Sequence, residues 1–458
     1  MTIIFVSNYI NHHQIPFCEE MISLLGADDH FYFIQTEDME NDRKQMGWDN
    51  SKPGYVLCAY ESEEMNKKCR QLIFESEVVI FGGCEDESYM KPRLEDIKRE
   101  LHEINSTSNK QPEANETTET AEGAAVKRLT FRYSERVYKE GQWKFITPRG
   151  LAKKKKDHTR YNDIPIYLLC AGGYVASDFA LFGAYKNKMY RWGYFPKTEE
   201  LDIDEVISNK GSKSASDASG LAKETQQENI VQEKLPYILW SGRALDWKHP
   251  EYALKTAQYL KKKSLKFRME IIGGETGGEK TGKKDGEPER GVLSRMRTEL
   301  SVEDCVELKD FVKPEEMREL MKNADIYLMT SDRKEGWGAV ANEAMNSACC
   351  LVAGSMEGAI PYLCRNGENA LVYKDGDLND LFTKTEKALT DEALRKRIGK
   401  DGYKTITEEW NAHVAAVRLM QFINAFREGK ELPEFESGPL SKEKPRAERR
   451  ISKETAGA

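Results

Sequence analysis

Glu335 and Glu343 stand eight residues apart in the run Glu335-Gly-Trp-Gly-Ala-Val-Ala-Asn-Glu343, with two glycines and a tryptophan between them. The pattern reads as a Gly-rich turn running into a helix that begins near Gly338. Free backbone N–H groups and the positive end of the helix dipole would face a cleft where a diphosphate fits. Glycine at 336 and 338 lets the backbone come closer to a ligand than a Cβ allows. Glu335, just before the turn, is placed to reach a sugar. Glu343, one and a half turns into the helix, is placed to accept hydrogen bonds from ribose hydroxyls. The residue types suit a clamp on a nucleoside-diphosphate sugar, against the plainer reading of two acids on a charged helix.

A second constellation lies upstream. Tyr237 to Ser241 is a compact apolar strand, Gly242 permits a turn, and Arg243 and Lys248 flank the loop leading to a helix from about Pro250 to Lys263. Arg offers a planar fork to phosphate oxygens and Lys a mobile point charge, so two cations on one loop suit a departing diphosphate. The alternative is a solvated basic loop.

The elements that must position these groups are parallel strands. Ala324-Asp-Ile-Tyr-Leu-Met-Thr330 reads as a buried strand before the Glu pair, and Cys349-Cys-Leu-Val-Ala353 as the next one. Ligands of open α/β sheets bind at such carboxyl ends. Apolar runs at Ile3–Ser7, Phe31–Ile34, Val78–Phe81, Leu129–Arg132 and Ile164–Cys170 alternate with helical segments in the first half. In the second half the runs are Tyr237–Ser241, Phe267–Ile272, Val306–Leu308, Ile326–Met329, Cys350–Ala353 and Leu371–Tyr373. The alternation predicts two parallel-sheet α/β domains meeting near Trp192-Gly-Tyr-Phe-Pro196.

The runs Ser331 to Glu343, Ala344-Met345, Gly358-Ala-Ile-Pro-Tyr362 and Asn366-Gly-Glu-Asn-Ala-Leu-Val372 resemble the donor domain of retaining GT-B glycosyltransferases of family 4. Leu239-Trp-Ser-Gly-Arg243 and Lys248-His-Pro-Glu-Tyr-Ala-Leu254 extend the resemblance upstream. It implies a GT-B fold, two Rossmann-like domains facing a central cleft, and a metal-independent hexosyltransferase. Arg243, Lys248 and Glu335 would then be catalytic, and Gly242, Gly336, Trp337, Gly338, Glu343 and Gly274 donor-binding. The nucleoside-diphosphate sugar is a substrate, so no cofactor is expected; the partner is a glycan or lipid-linked glycan acceptor, in cell-envelope or capsular polysaccharide synthesis. A sugar-nucleotide epimerase of the same fold would need no acceptor, and a catalytically silent subunit of a polysaccharide-assembly complex would bind nucleotide weakly.

The acceptor side falls to the first domain. Its first strand is followed by Ser7-Asn-Tyr-Ile-Asn-His-His-Gln14, which makes Asn11, His12 and His13 candidate cleft residues, the two histidines as catalytic candidates. Many relatives have a Gly-Gly pair in this loop and a deeper histidine, whereas His102 and His158 here fall in polar stretches. Gly172-Gly173, after another buried strand, is an acceptor-side candidate that opens room for a substrate. Glu135, Arg136 and Asp178 lie in segments similar to a bacterial subset of the family, with a structural role as the plainer reading.

Composition sets the outer limits. The 458 residues carry a formal net charge of −8, and the pI of 5.7 speaks against nucleic acid as the main partner. No run approaches a membrane span, and Met1 to Ser7 reads as a strand and not a secretion signal, so a cytoplasmic location is expected. The nine cysteines include no Cys-x-x-Cys pair, as for buried apolar residues in a reducing compartment. No metal site is expected. Asp202-Ile-Asp204 and Asp375-Gly-Asp377 read as linker and turn residues, and cations do the work of a metal. Lys153 to Lys156 is either a solvated loop or a patch for peripheral contact with the inner face of the membrane.

The expected boundaries follow. Residues 1–196 form the acceptor-side domain, with a disordered polar insertion at about 105–122, and 197–234 a polar linker. Residues 235–405 form the nucleotide-sugar domain. Residues 406–430 form a helix returning to the first domain through a stripe of Trp410, Val414, Val417, Met420 and Ile423, and 436–458 a disordered tail. The polar segment 275–291 is a further insertion.

Overall fold

Seven strands make the first sheet, all parallel, in the order β3 (Val56–Cys58), β2 (His30–Gln35), β1 (Thr2–Ser7), β4 (Val78–Gly82), β5 (Leu129–Ser134), β6 (Ile166–Ala171) and β7 (Met189–Trp192). Six more form the second, also parallel, in the order β10 (Val306–Lys309), β9 (Arg268–Ile272), β8 (Tyr237–Ser241), β11 (Ile326–Met329), β12 (Cys350–Gly354) and β13 (Leu371–Tyr373). The computed structural model describes residues 1–39, 52–83, 87–108, 127–139, 141, 147–211, 235–243, 245–273 and 291–446. Strands such as Ile3-Ile-Phe-Val6 are buried on both faces, as a parallel sheet covered by helices requires.

Strand order reverses between β1 and β4 in one sheet and between β8 and β11 in the other. Loops leaving the carboxyl ends of strands at such reversals diverge and leave a crevice. The loops after β8 and β11 carry Arg243, Lys248 and Glu335, and the loop after β1 carries Asn11, His12 and His13. Two doubly wound lobes therefore present their switch points to one cleft, in the GT-B arrangement.

Helix Ala412–Arg427 starts at Asn411, whose side chain accepts from Val414 N at 2.8 Å. It returns to the first lobe. Phe422 packs on the rings of Phe131, Tyr167 and Tyr190, with centroids 5.4, 5.1 and 5.3 Å away. The deeply buried face is Ala412, Ala415, Ala416, Leu419, Phe422 and Ile423, while Val414, Val417 and Met420 of the expected stripe are half-buried. Small alanines let this face lie close to its neighbours, so the helix is rotated from the setting that the larger residues imply.

Three expectations change at the edges. Residues 105–108 belong to helix Lys91–Ser108, and residues 109–122 of the polar insertion lie outside the described residues. The linker contains helix Ile203–Asn209, after which the buried Lys210 ammonium donates to Ala324 O at 2.7 Å and Ser347 O at 2.9 Å. A cation placed on carbonyls at two helix ends anchors the linker to the second lobe.

The tail is not disordered from 436. Residues 436–446 lie along β7: Arg191 N donates to Ser441 O at 2.8 Å, Arg191 Nε meets Glu443 Oε2 at 2.7 Å, and Ser177 Oγ donates to Arg446 O at 2.7 Å. An open sheet edge has unpaired backbone groups, and this polar segment satisfies them. Residues 447–458, and 275–290 of the other insertion, fall outside the described residues.

Candidate functional site

Lys248 is delivered by a tight local fold. After β8 a single 3-10 turn, Asp246–Lys248, ends at His249 in the left-handed region (φ 48°), and Pro250 then opens helix Pro250–Lys262. His249 Nδ1 lies 2.8 Å from Glu251 Oε1 and Nε2 lies 3.6 Å from Asp332 Oδ2. Burial pulls this imidazole down, but its hydrogen bonds to Asp332 and Glu251 raise it to about 9, so it is a cation at neutral pH. Asp332 N also donates to Trp247 O at 2.8 Å. The β8 and β11 loops are thereby clamped together.

The clamp sets Lys248 Nζ 2.5 Å from Glu335 Oε2. Burial pushes the Glu335 carboxyl up, yet the Lys248 ammonium, with help from Ser331 and Lys139, holds it below the usual carboxylate range. The pair is only 18% and 14% exposed, so water screens it little. Arg243 and Gly242 line the same cavity, of about 1240 Å³, between the lobes. That volume exceeds the roughly 300–1,000 Å³ of a pocket for one small ligand.

Gly338 takes a left-handed φ of 81°, and a Cβ there would collide with Met329 Cε. The helix that follows, Val340–Asn346, has only seven residues. Its residues Val340 and Glu343 line the same cavity as Arg243 and Lys248. Trp337 is buried: its Nε1 donates to Asn342 Oδ1 at 2.8 Å and its ring packs near Tyr194, Tyr362 and Trp410. It braces the turn, so what residue 337 offers a ligand is backbone.

His12 and His13 line the cavity facing Glu343 across the lobe boundary. Burial, assisted by the Arg318 guanidinium, lowers His12 to about 4, so it is a neutral imidazole at pH 7 and brings no charge to a phosphate. Burial raises Glu343 to about 7, opposed by Arg318. One ligating atom from each of His12, His13 and Glu343 lies within 4.8 Å of the others. Arg318, which acts on both His12 and Glu343, would repel a dication held there.

Asn11 lines the cavity, whereas Gly172 and Gly173 do not. The space expected at the glycine pair is filled by the other lobe: Gly173 N donates to Gly358 O at 3.0 Å, and a Cβ on Gly173 would collide with Pro361. These glycines let the lobes touch; they make no room for substrate. Gly274 lies outside the described residues. His158 is likewise removed from the cleft, packed against Phe179 and Phe182 beside Arg132.

The loop after β5 sends its neighbours Glu135 and Arg136 to different places. Arg136 and Asp178 form a buried ion pair at 3.1 Å, with Tyr138 N also donating to Asp178. Glu135 instead faces the cleft. Arg318, Lys139 and Tyr194 also line the cavity without belonging to either sequence constellation.

Residues 222–405 match the family described as Glycosyl transferases group 1. This segment carries Arg243, Lys248, Glu335 and Glu343. Among curated proteins, the capsular polysaccharide biosynthesis glycosyltransferase CapM of Staphylococcus aureus is 29% identical over 104 residues, 23% of this chain and 27% of that protein. The lipopolysaccharide core biosynthesis glycosyltransferase LpsE of Rhizobium meliloti is 26% identical over 139 residues, 30% of this chain and 39% of that protein. The chain thus spans well under two thirds of either relative.

Whole-chain likeness appears among solved structures. Anabaena Alr3699/HepE, crystallised with UDP, aligns over 93% of this chain and 100% of its own, with a TM-score of 0.57 at 13% identity. Sucrose-phosphate synthase from Thermosynechococcus elongatus aligns over 94% and 100%, with a TM-score of 0.57 at 12% identity. At such identities the likeness establishes the fold alone. The group 1 match covers the second lobe, and the whole-chain likeness gives the GT-B fold.

Proposed function

We propose that this protein transfers a hexosyl unit from a nucleoside-diphosphate sugar to an acceptor hydroxyl, with retention at the anomeric carbon and without a metal ion or cofactor. The observation that carries the reading is the Lys248–Glu335 pair at 2.5 Å, in one cavity with Arg243. Arg243 and Lys248 would take up charge as the C1–O bond to the diphosphate breaks, which stabilises the transition state more than the ground state. Glu335 stands beside the sugar and stabilises positive charge developing near its ring. The departing diphosphate accepts the proton of the acceptor hydroxyl as the new C1–O bond forms. Glu343 receives the ribose hydroxyls.

The curated relatives are named for capsular polysaccharide and lipopolysaccharide core synthesis, which supports a cell-envelope glycan as acceptor. No helix among the described residues is long and apolar enough to cross a membrane. A cytoplasmic protein touching the membrane through Lys153–Lys156 fits this reading. Those lysines lie on helix Pro148–Thr159, exposed except for Lys154, which leans on Tyr138 and Phe182.

Hydrolysis and transfer assays with a panel of UDP-, GDP- and ADP-hexoses test the proposal. One base class is expected to turn over, with the α-linked donor giving an α-linked product. Inversion of configuration would refute the retaining mechanism, and inertness toward the whole panel would refute the activity.

A further inference from the structure

We propose that Glu135 is the group that binds and orients the acceptor hydroxyl, with Tyr194 and Lys139 holding its carboxylate in place. The assignment rests on the glycosyl-transfer reading above and adds a residue from the opposite lobe.

Glu135 follows β5 directly, at the carboxyl end of a parallel strand, where the chain turns into the cleft. Its two oxygens are fixed separately. Tyr194 O–H donates to Oε1 at 2.6 Å, and Lys139 Nζ lies 2.8 Å from Oε2. Tyr194 is locked in turn between His13, with which it stacks at 6.2 Å, and the Trp337 ring at 6.3 Å. Burial keeps the Tyr194 phenol protonated well beyond neutral pH, so it remains a donor.

This carboxylate lies directly over Gly336. A Cβ at position 336 would collide with it, which places Glu135 beside the residue that follows Glu335, in the same cavity as Lys248 and Arg243. Lys139 also helps to hold the Glu335 carboxyl down, so its charge offsets repulsion between the two acids. A carboxylate has about four acceptor positions, and Tyr194 and Lys139 use two. The remainder can accept a hydroxyl proton in a hydrogen bond, turning the acceptor oxygen toward an anomeric carbon held beside Glu335. The proton itself leaves with the diphosphate.

The diphosphate cations sit on the second lobe, and Glu135 comes from the first. Its loss should therefore act on the acceptor and spare the nucleotide. The probe acceptors are octyl hexosides, and the nucleotides are UDP, GDP and ADP titrated calorimetrically. For Glu135→Gln, kcat/KM for the best octyl hexoside should fall by roughly 10–100-fold, the cost of one hydrogen bond to a charged group, with nucleotide affinity within about twofold of wild type. Tyr194→Phe, which removes one oxygen, should lower the same ratio by about tenfold. Acceptor kcat/KM within twofold of wild type in both variants would overturn the proposal, as would an equal loss of nucleotide affinity. If wild-type protein binds none of the three nucleotides, the glycosyl-transfer reading fails and this assignment with it.

Discussion

Lys248 and Glu335 come from loops after different strands, β8 and β11, yet their charged atoms meet at 2.5 Å in a site only 18% and 14% exposed. His249, paired with Glu251 and Asp332, ties the loops together. The ammonium is thus presented to the cavity by a scaffold that needs little rearrangement when a diphosphate arrives.

Lys248→Ala should lower turnover by roughly 10²–10³. It also strands the Glu335 carboxylate, so thermal stability should drop, and Lys248→Ala/Glu335→Gln should recover that stability without recovering activity. Calorimetric melting and steady-state rates on the three proteins check this. Recovery of both together would show the pair to be structural only.

Stability should depend on His249 in one pH window. Its folded pKa of about 9 lies above the unfolded value of 6.5. The stabilisation is therefore complete below 6.5 and is lost as pH rises through 9. The Tm gap between wild type and His249→Gln should be wide at pH 6 and close to zero at pH 10. A gap that widens with pH would reverse the assigned sign.

Gly338→Ala should destabilise by about 1–3 kcal/mol, since alanine must adopt φ 81° and displace Met329. Gly367→Ala, at φ 83° in open space, incurs only the backbone part. Equal urea midpoints for the two variants would mean that Met329 moves aside freely.

Asp178→Ala should cost about 3–5 kcal/mol, because it leaves the Arg136 guanidinium buried without its carboxylate. Chemical denaturation measures the loss. A change below 1 kcal/mol would mean that the pair contributes little to the first lobe.

Strands built from apolar runs were legible from sequence, and every strand of the second lobe coincides with one. β3 and β7 were not. Val56–Cys58 is three residues long, too short for alternation to show, and Met189–Trp192 carries an arginine that reads as a junction. Ala415 and Ala416 hid the buried face of the last helix, because alanine fits either a core or a surface pattern. In the site, Arg243, Lys248, Glu335 and Glu343 were visible because glycines and strands frame them. Arg318 was not, since it lies inside helix Pro314–Asn323 with no such frame, and Tyr194 was not, since the strand before it, β7, was itself hidden. The glycine pair at 172–173 misled for a physical reason: room beside a glycine serves a ligand or a neighbouring backbone equally well, and here Gly358 takes it.

Arg243 and Lys248, two cations of the second lobe, line the cavity where a diphosphate would be held. Titration calorimetry of UDP, GDP and ADP into wild-type and Arg243→Ala/Lys248→Ala protein tests that role. Binding of at least one nucleotide by wild type, weakened about a hundredfold or more in the double variant, is the predicted result. Equal affinity in the two proteins would contradict it.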